Sequence, residues 1–185
     1  DLAGKVEPPA CQPSTGKRVA IVGGGPGGLS TAYYLQLMGH QVVVYEMLPR
    51  LGGMLRYGIP NYRLPKDRLD DDINAILETG VQVRYGLRIG IDITINELRE
   101  QYDAVLITIG ASTDKKLGVE GEDADGVISA VQFLRDVGKG NAVDLKGQEV
   151  CVVGGGNVSM DAVRTAVRLG AKKVTIVYRR RVADM

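Results

Sequence analysis

The chain is poor in the residues that build disulfides, metal sites and acid–base centres. Its 185 residues include two cysteines, Cys11 and Cys151, which are far apart and form no CxxC pair. A disulfide scaffold or an internal redox dithiol is therefore not expected, and a reduced intracellular setting fits better. Cys11 alone cannot build a metal site, although a segment upstream of it could add ligands. The one histidine, His40, follows the helix-ending Gly39 and is interpreted as a turn residue rather than a base.

Charge and hydrophobicity exclude two further classes of protein. The formal net charge is +1, and charges of both signs alternate without a long basic tract, so nothing favours nucleic-acid binding. No apolar stretch approaches the roughly 20 residues of a membrane-spanning helix, and no membrane span is expected. The composition, 44% hydrophobic and 24% charged, is that of a globular protein, for which we expect a cytoplasmic location.

Glycine, in contrast, is abundant, and many of the 25 glycines gather in the turns 23–28, 52–53 and 154–156. Such clustering indicates close approach of the backbone to ligands. Two of these turns lie in copies of one pattern, which consists of an apolar strand, a glycine-rich turn, a helix and a second apolar strand. The copies read RVAIVGGGPGGLSTAYYLQLMGHQVVVYE and EVCVVGGGNVSMDAVRTAVRLGAKKVTIVYRR.

The alternation of strands and helices predicts an α/β doubly wound fold with two Rossmann-like dinucleotide-binding units. The strands are nearly continuous apolar runs, as parallel sheets require. Residues 49–65 read as a long functional or mobile loop. Predicted strands are 18–22, 41–46, 81–85, 104–109 and 174–177; predicted helices are 27–38, 66–79, 96–100 (capped by Asn96) and 129–137 (with Gly138 as its C-cap).

The first glycine turn has the spacing Gly23-x-Gly25-x-x-Gly28 between a strand and a helix. The first glycine permits the tight turn, the second lets the backbone approach a pyrophosphate, and the third lets helix and strand pack closely. Glu46 ends the next strand, where a carboxylate can accept hydrogen bonds from ribose hydroxyls. The pattern predicts a bound dinucleotide; the alternative is a glycine turn in an unliganded α/β domain.

The second turn, Gly154-x-Gly156-x-x-Ser159, departs from the fingerprint at its third position, where serine is still small enough for close packing. Arg179 and Arg180 follow the second strand, where a site for NAD would carry an acid. Guanidinium groups there can bind a 2′-phosphate, so we expect NADPH; the alternative is a solvated basic strand end. One acidic and one basic strand end together suggest two different dinucleotides, and therefore an electron-transfer flavoenzyme.

Two other residues of the second unit are interpreted as structural. Asp161 is placed in the first turn of the helix, where it would serve the helix dipole, and a cofactor role for it is less favoured. Cys151 lies inside an apolar strand and is predicted to be part of the core rather than reactive.

Two further stretches resemble parts of known flavoproteins. Residues 51–54 (LGGM) place a second glycine pair, Gly52 and Gly53, just past Glu46. This arrangement resembles disulfide-reductase-like and amine-oxidase-like FAD domains, where the segment lines the flavin. Residues 102–111 (YDAVLITIGA) resemble the second FAD motif of flavoproteins with two dinucleotide sites, with Gly110 passing close to the cofactor. The alternative for this stretch is a plain core strand.

Nearly all of residues 15–181 resemble one family. The chain is similar to the small (beta) subunit of NADPH-dependent glutamate synthase. It is equally similar to the FAD/NADPH portion of dihydropyrimidine dehydrogenase and to related iron–sulfur-linked NAD(P) oxidoreductases. Ordinary disulfide reductases lack the GIPxYRLP segment, which makes it the most specific match. The matching stretches are TGKRVAIVGGGPGGLSTAYYL, LGGMLRYGIPNYRLPKDRLDDDI, DITINELREQYDAVLITIGAS, LGVEGEDADGV and VVGGGNVSMDAVRTAVRLGAKKVTIVYRR.

The resemblance implies an FAD domain interrupted by an inserted NADPH domain. We therefore expect an arm at 1–16, the first part of the FAD domain at 17–145, and the incomplete start of the NAD(P)H domain at 146–185. The chain opens on Asp1 rather than Met, and it stops just after the second strand of the second unit, although a dinucleotide-binding domain normally has more strands. We therefore expect a fragment of a longer protein or one piece of a split one. With the glycine motifs, the resemblance predicts FAD contacts from Gly23, Gly25, Pro26, Gly27, Gly28, Glu46, Gly52, Gly53, Met54, Arg63, Ile89 (in a short strand before Gly90, at the adenosine end) and Gly110, and NADP(H) contacts from Gly154, Gly155, Gly156, Asn157, Val158, Arg179 and Arg180.

The expected activity is hydride transfer from NADPH to FAD, followed by electron transfer to iron–sulfur clusters on another domain or on a partner subunit. The cofactors carry this chemistry, so no catalytic side chain and no metal ligand is predicted in the chain. Two alternatives stay open. One is an FAD-dependent monooxygenase or oxidase with a degenerate second site, and the other is a non-catalytic flavin-binding or assembly module of a larger redox complex.

Overall fold

A computed structural model describes residues 9–111, 113–181 and 183 of the chain. Their contacts divide them into two compact units. The first unit holds the described residues up to Arg56 together with Pro65–Gly110; the second holds Tyr57–Leu64 and the described residues from Ala111 onward. By contact, residues 113–145 thus group with the second glycine turn, whereas the functional boundary at 145 stays a prediction.

The first unit is built on a four-stranded parallel sheet. Its order is β3-β2-β1-β4, with Val19 of β1 level with Val42 of β2 and with Ala104 of β4. The sheet confirms the predicted α/β architecture. The strands are β1 (Arg18–Val22), β2 (Gln41–Glu46), β3 (Gln82–Tyr85) and β4 (Ala104–Ile107), and the helices are α1 (Pro26–Leu37), α2 (Gly53–Tyr57), α3 (Lys66–Leu77) and α4 (Ile95–Gln101).

Both faces of β1 and β2 are buried because alternate side chains enter two hydrophobic clusters. One face packs with residues of α1 and α3, the other with α4 and the residue that follows it. The first cluster holds Val19, Ile21, Leu29, Ala32, Val42, Val44, Leu51, Leu69, Ile73 and Val81. The second holds Ala20, Val22, Val43, Tyr45, Leu98 and Tyr102. The two central strands thereby fix the position at which the first glycine turn leaves the sheet.

Three predictions of local structure in this unit were wrong. Residues 49–65 are not one irregular loop, since α2 forms within them. The helix predicted at 96–100 is capped by Thr94 and not by Asn96: the Thr94 hydroxyl accepts from the Glu97 N–H, and the Glu97 carboxylate accepts from the Thr94 N–H. Such a reciprocal capping box satisfies two free donors at once. Ile89 lies in no strand but in an isolated bridge to Ile93.

The second unit carries the second copy of the pattern. Its parallel strands β5 (Glu149–Val153) and β6 (Lys173–Val177) flank the helix α6 (Asn157–Arg168), and an earlier helix, α5 (Ala130–Gly138), packs with them. Helix α5 is capped by Ser129 at its start and by Lys139 at its end, so Gly138 is its last residue and not its C-cap. The core consists of Phe133, Leu134, Val152, Ala162 and Ala166.

Cys151 is exposed, contrary to the prediction that it belongs to the core. Side chains alternate along a strand, so Cys151 and Val152 point to opposite faces of the sheet. Val152 enters the core, whereas Cys151 and Val153 are exposed. An apolar run predicts a strand, but it does not show how many of its faces are covered.

The predicted arm is described from residue 9, and residues 9–16 form no helix or strand. They lie along the end of α1: the Gln12 N–H donates to the Leu37 carbonyl over 2.8 Å, and the Thr15 hydroxyl is 2.7 Å from His40 Nδ1. Cys11 is exposed, with its thiol 3.6 Å from the Thr79 carbonyl. None of the helices within the described ranges has the length and apolar character needed to traverse a bilayer.

Candidate dinucleotide-binding sites

The first glycine turn joins the carboxyl end of β1 to the amino end of α1 through very close backbone contacts. Gly23 has φ +108°, and a Cβ placed on it would lie 2.6 Å from the Thr108 carbonyl oxygen. A Cβ on Gly28 would overlap the Gly23 carbonyl oxygen. Both positions therefore require glycine, as the predicted roles of the first and third glycines demand.

The start of α1 is open on the side where a phosphate would bind. Gly25 is its N-cap residue, without a capping side chain among the described residues, and Pro26 is its first residue. The first N–H groups of a helix have no partner within the helix and attract anions. Gly27 is exposed, and its Cβ position has no described neighbour within 4 Å. The backbone here fits a pyrophosphate.

Glu46 lies at the end of β2, as predicted, and is only 6% exposed. Its Oε2 accepts a hydrogen bond from the Gly24 N–H over 2.7 Å, and its Oε1 accepts one from the Leu48 N–H over 2.8 Å. The carboxylate therefore holds the glycine turn in place, a role the sequence pattern did not reveal. Since a carboxylate has about four lone-pair sites, it can still accept from ribose hydroxyls.

The second glycine pair packs directly on the first turn. The Gly52 N–H donates to the Gly24 carbonyl over 2.8 Å, and a Cβ on Gly53 would lie 2.8 Å from Gly25 Cα. Met54 follows in α2 and is 37% exposed. The structure thus brings together the predicted residues of the turns at 23–28 and 52–54.

Arg56 is a buried cation that sequence reasoning missed. Its Nε donates to the Leu51 carbonyl and its Nη2 to the Asp70 carboxylate. The hydrogen bond and positive charge of Arg56 lower the pKa of Asp70 below its usual value. Burial, together with the charge of Arg56, lowers the pKa of Lys66, whose ammonium donates to the Leu55 carbonyl over 2.8 Å. No sequence motif marks Arg56, which stands inside an ordinary apolar run.

Gly110, predicted to approach the cofactor, is exposed with φ +68°. Thr108, two residues earlier, contacts the glycine turn, since its hydroxyl donates to the carbonyls of Val22 and Gly23 over 3.0 Å. The predicted approach of Gly110 to the cofactor stays a prediction. The polar residue within the apolar run AVLITI was the available signal for Thr108. Ile89 is half-buried against the second hydrophobic cluster.

Arg63 lies within the second unit, where it is ion-paired with Asp161 of α6. Its Nη1 is 3.0 Å from Oδ2 and 3.2 Å from Oδ1 of Asp161, whose side chain is 8% exposed. The Tyr62 hydroxyl is 3.3 Å from the Asp161 carbonyl, and the Arg168 guanidinium lies over the Tyr62 ring at 3.9 Å. Asp161 was predicted to lie in the first turn of α6, but it lies beyond that turn. Its carboxylate holds Arg63 in place. The predicted contact of Arg63 with FAD stays a prediction.

The second glycine turn is closed by side chains as well as by backbone. Gly154 has φ +130°, and its N–H donates to the Val177 carbonyl over 2.9 Å. A Cβ on Gly154 would lie 2.5 Å from the Ser159 hydroxyl oxygen. A Cβ on Gly155 would lie 2.7 Å from the Tyr178 ring. The ring of Tyr178 therefore covers this turn, and its position directly after β6 was the signal for it.

The rest of the second candidate site is open. Gly156 is the N-cap residue of α6, and no side chain in the described ranges caps it. Asn157 and Val158 are exposed in the first turn of α6, and Arg179 and Arg180 are exposed beyond Tyr178. Free N–H groups at the helix start and nearby guanidinium groups fit an anionic dinucleotide.

Comparisons with known proteins agree with this geometry. The family described as "Pyridine nucleotide-disulphide oxidoreductase" matches residues 17–183. The chain is 48% identical over 174 residues to the NADP(+)-dependent formate dehydrogenase subunit beta of Moorella thermoacetica, a match covering 93% of this chain and 25% of that subunit. It is 41% identical over 180 residues to the glutamate synthase [NADPH] small chain of Bacillus subtilis, covering 92% of this chain and 36% of that one.

Among solved structures, Mycobacterium tuberculosis FprA in complex with NADPH superposes with a TM-score of 0.75 and 27% identity, covering 91% of this chain and 44% of that chain. The chain spans about a quarter of the length of the formate dehydrogenase subunit and about a third of the length of the glutamate synthase small chain. These similarities confirm the predicted resemblance to the glutamate synthase small subunit and the predicted fold class. The chain belongs to the pyridine nucleotide-disulphide oxidoreductase family.

Proposed function

We propose that this chain is the FAD-binding and NADP(H)-binding part of an oxidoreductase that passes electrons from NADPH through FAD to iron–sulfur clusters on another domain or a partner subunit. The observation that carries the proposal is the pair of glycine turns with opposite charges beside them. Glu46 is buried next to the first turn, whereas Arg179 and Arg180 are exposed beyond the second. A carboxylate suits ribose hydroxyls, and guanidinium groups suit a 2′-phosphate.

In the first site, the chain binds and orients FAD. Gly25, Pro26 and Gly27 bring the start of α1 to the pyrophosphate, and Glu46 accepts from the ribose. The segment 52–54 lies against this turn and would line the flavin. Arg63, Ile89 and Gly110 are proposed as further contacts by the family resemblance alone.

In the second site, the residues 154–158 bring the start of α6 to the pyrophosphate of NADP(H). Arg179 and Arg180 then select the 2′-phosphate. Each charge-assisted hydrogen bond of this kind contributes roughly 1.5–3 kcal/mol, which corresponds to a preference for NADPH over NADH of about tenfold to a hundredfold.

The chemistry needs orientation more than proton transfer. When bound, NADPH would supply a hydride, and FAD would provide the two-electron acceptor that can pass electrons on one at a time. No acid or base is required in the hydride step, so the chain contributes binding and alignment. The two curated relatives are named as a beta subunit and a small chain, which supports a partner subunit. Their names also include NADP(+) and NADPH, which supports NADP(H) as the second cofactor. A cytoplasmic location is part of the same proposal, and the two unpaired cysteines fit it.

The test is the visible absorption spectrum of the intact protein before and after anaerobic addition of NADPH. Flavin bands that bleach within a catalytic turnover, and bleach more slowly with NADH, are the expected result. Flavin bands that persist would favour a flavin-binding assembly module. Bleaching by NADPH followed by direct reaction with oxygen and a substrate, without any iron–sulfur acceptor, would favour a monooxygenase or oxidase.

A further inference from the structure

We infer that Arg56 is a positioning residue for the first dinucleotide site, which it serves by holding the segment 51–53 against the glycine turn at 23–28. The inference rests on the proposed function, in which this turn binds FAD. It concerns a residue that is buried, charged and outside every predicted contact.

Arg56 is buried, and its charge is compensated by two hydrogen-bond partners. The residue is only 4% exposed, and a buried cation is costly unless it is paired and hydrogen-bonded. Its guanidinium meets this condition through two partners on different elements, the Leu51 carbonyl before α2 and the Asp70 carboxylate on α3. Its Cβ also packs on Gly52, where an added Cβ would lie 3.1 Å from it. Arg56 therefore ties the segment 51–53 to α3.

The segment 51–53 in turn determines where the first glycine turn lies. The Leu51 side chain is buried and occupies the place that a Cβ on Gly24 would need. The Gly52 N–H is bonded to the Gly24 carbonyl over 2.8 Å, and Gly53 packs on Gly25. Displacement of the Leu51 carbonyl therefore moves the backbone that is proposed to meet the pyrophosphate.

Arginine is suited to this task because its planar fork can hold two acceptors at fixed angles. Lysine keeps the charge but offers a single ammonium, so it cannot reproduce the geometry of both bonds. Methionine keeps much of the side-chain volume but has no hydrogen-bond donor. Asparagine at position 70 removes the carboxylate but leaves the bond from Arg56 Nε to Leu51 intact. These substitutions separate the bond to the segment 51–53 from the bond to α3.

The experiment measures the FAD dissociation constant of the deflavinated intact protein by fluorescence quenching, the NADP+ dissociation constant, and the thermal midpoint of the apoprotein. The variants are R56M, R56K and D70N, with R68M as the matched control. Arg68 is an exposed arginine on α3 whose carboxylate partner, Asp71, is 3.8 Å away. We expect R56M to raise the FAD dissociation constant by about tenfold or more, R56K less, and D70N least, while NADP+ binding stays within about twofold. R68M should bind FAD as the wild type does.

The comparison of R56K with D70N separates positioning from general stabilisation. If Arg56 only stabilised the fold, the loss of FAD affinity would follow the loss in thermal midpoint across R56M, R56K and D70N. That result would overturn the inference. So would an unchanged FAD dissociation constant in R56M, or in R56K should R56M fail to fold. A wild-type protein without affinity for FAD would overturn the proposed function, and the inference with it.

Discussion

The two glycine turns have the same place between strand and helix, yet they are closed by different groups. At the third position of the first turn, backbone meets backbone, because a Cβ on Gly28 would overlap the Gly23 carbonyl oxygen. The second turn has Ser159 at this position. Side chains cover the middle of both turns: Leu51 occupies the Cβ position of Gly24, and the Tyr178 ring occupies that of Gly155. The turns therefore differ at the third position, where the first requires glycine and the second accommodates a side chain.

The charged residues beside the two turns differ in sign and in burial. Glu46 is buried and bonded to two backbone N–H groups, so it is part of the structure of the first turn. Arg179 and Arg180 are exposed, so they add charge without building the second turn. Removing the acid should therefore damage the fold and binding together, whereas removing the arginines should change binding alone.

The largest effect is expected from an added methyl group in the first turn. In G28A the new Cβ would overlap the Gly23 carbonyl, and neither backbone can move without disturbing β1 or α1. Overpacking against backbone lies at the upper end of the usual cost, about 3 kcal/mol in the free energy of unfolding. We expect loss of bound FAD and a steep fall in stability in chemical denaturation. The matched change in the second turn, S159A, should cost less than about 1 kcal/mol. Equal stability of the two variants would contradict this comparison.

Removal of the buried acid should have the next largest effect. E46A leaves the N–H groups of Gly24 and Leu48 without their acceptors, which costs about 1–3 kcal/mol for the buried Gly24 group and less for the part-buried Leu48 group. E46Q keeps one acceptor oxygen and should lose about half as much. Denaturation curves measure the stability, and flavin titration measures the binding. Loss of FAD affinity in E46A without loss of stability would show that Glu46 acts on the ligand alone.

Replacement of Arg179 and Arg180 tests the same contrast at the second turn. In a double variant with alanine at positions 179 and 180, the KM for NADPH should rise about tenfold to a hundredfold while that for NADH stays nearly constant. Stability should change by less than about 0.5 kcal/mol, because both side chains are exposed. Steady-state kinetics with both coenzymes provide the measurement. The alternative, a solvated strand end, predicts an unchanged ratio of the two KM values.

The sequence pattern predicted the parts of both turns that depend on local geometry. Gly23 and Gly28 could be identified because a tight strand–turn–helix connection requires glycine at this spacing, and Glu46 because it ends the next strand. The capping box at Thr94 and Glu97 was also readable, since the spacing T-x-x-E is its signature, although it was missed. These features lie within one strand–turn–helix–strand unit or within one helix end.

The contacts that escaped prediction join residues far apart in the chain. Arg63 and Asp161 are 98 positions apart, and the packing of Tyr178 on Gly155 depends on the pairing of β5 with β6. The exposure of Cys151 depends on which faces of a sheet are covered, which an apolar run does not encode. Arg56 and Asp70 are closer, but neither stands in a motif, and their pairing is set by how α2 packs on α3.

The smallest expected effect concerns pH and the support of the first turn. The hydrogen bond from Arg56 holds the pKa of Asp70 below its unfolded value of 3.8. A lowered folded pKa contributes stability that is present above the unfolded value and is lost as pH falls through the folded value. The free energy of unfolding should therefore fall more steeply below about pH 4 in the wild type than in D70N. The Asp70 side chain is 38% exposed, so solvent screening keeps the difference below about 1 kcal/mol. D71N, which alters the exposed neighbour, is the control, and a D70N profile parallel to that of the wild type would show that the Arg56 pair adds no stability to this turn.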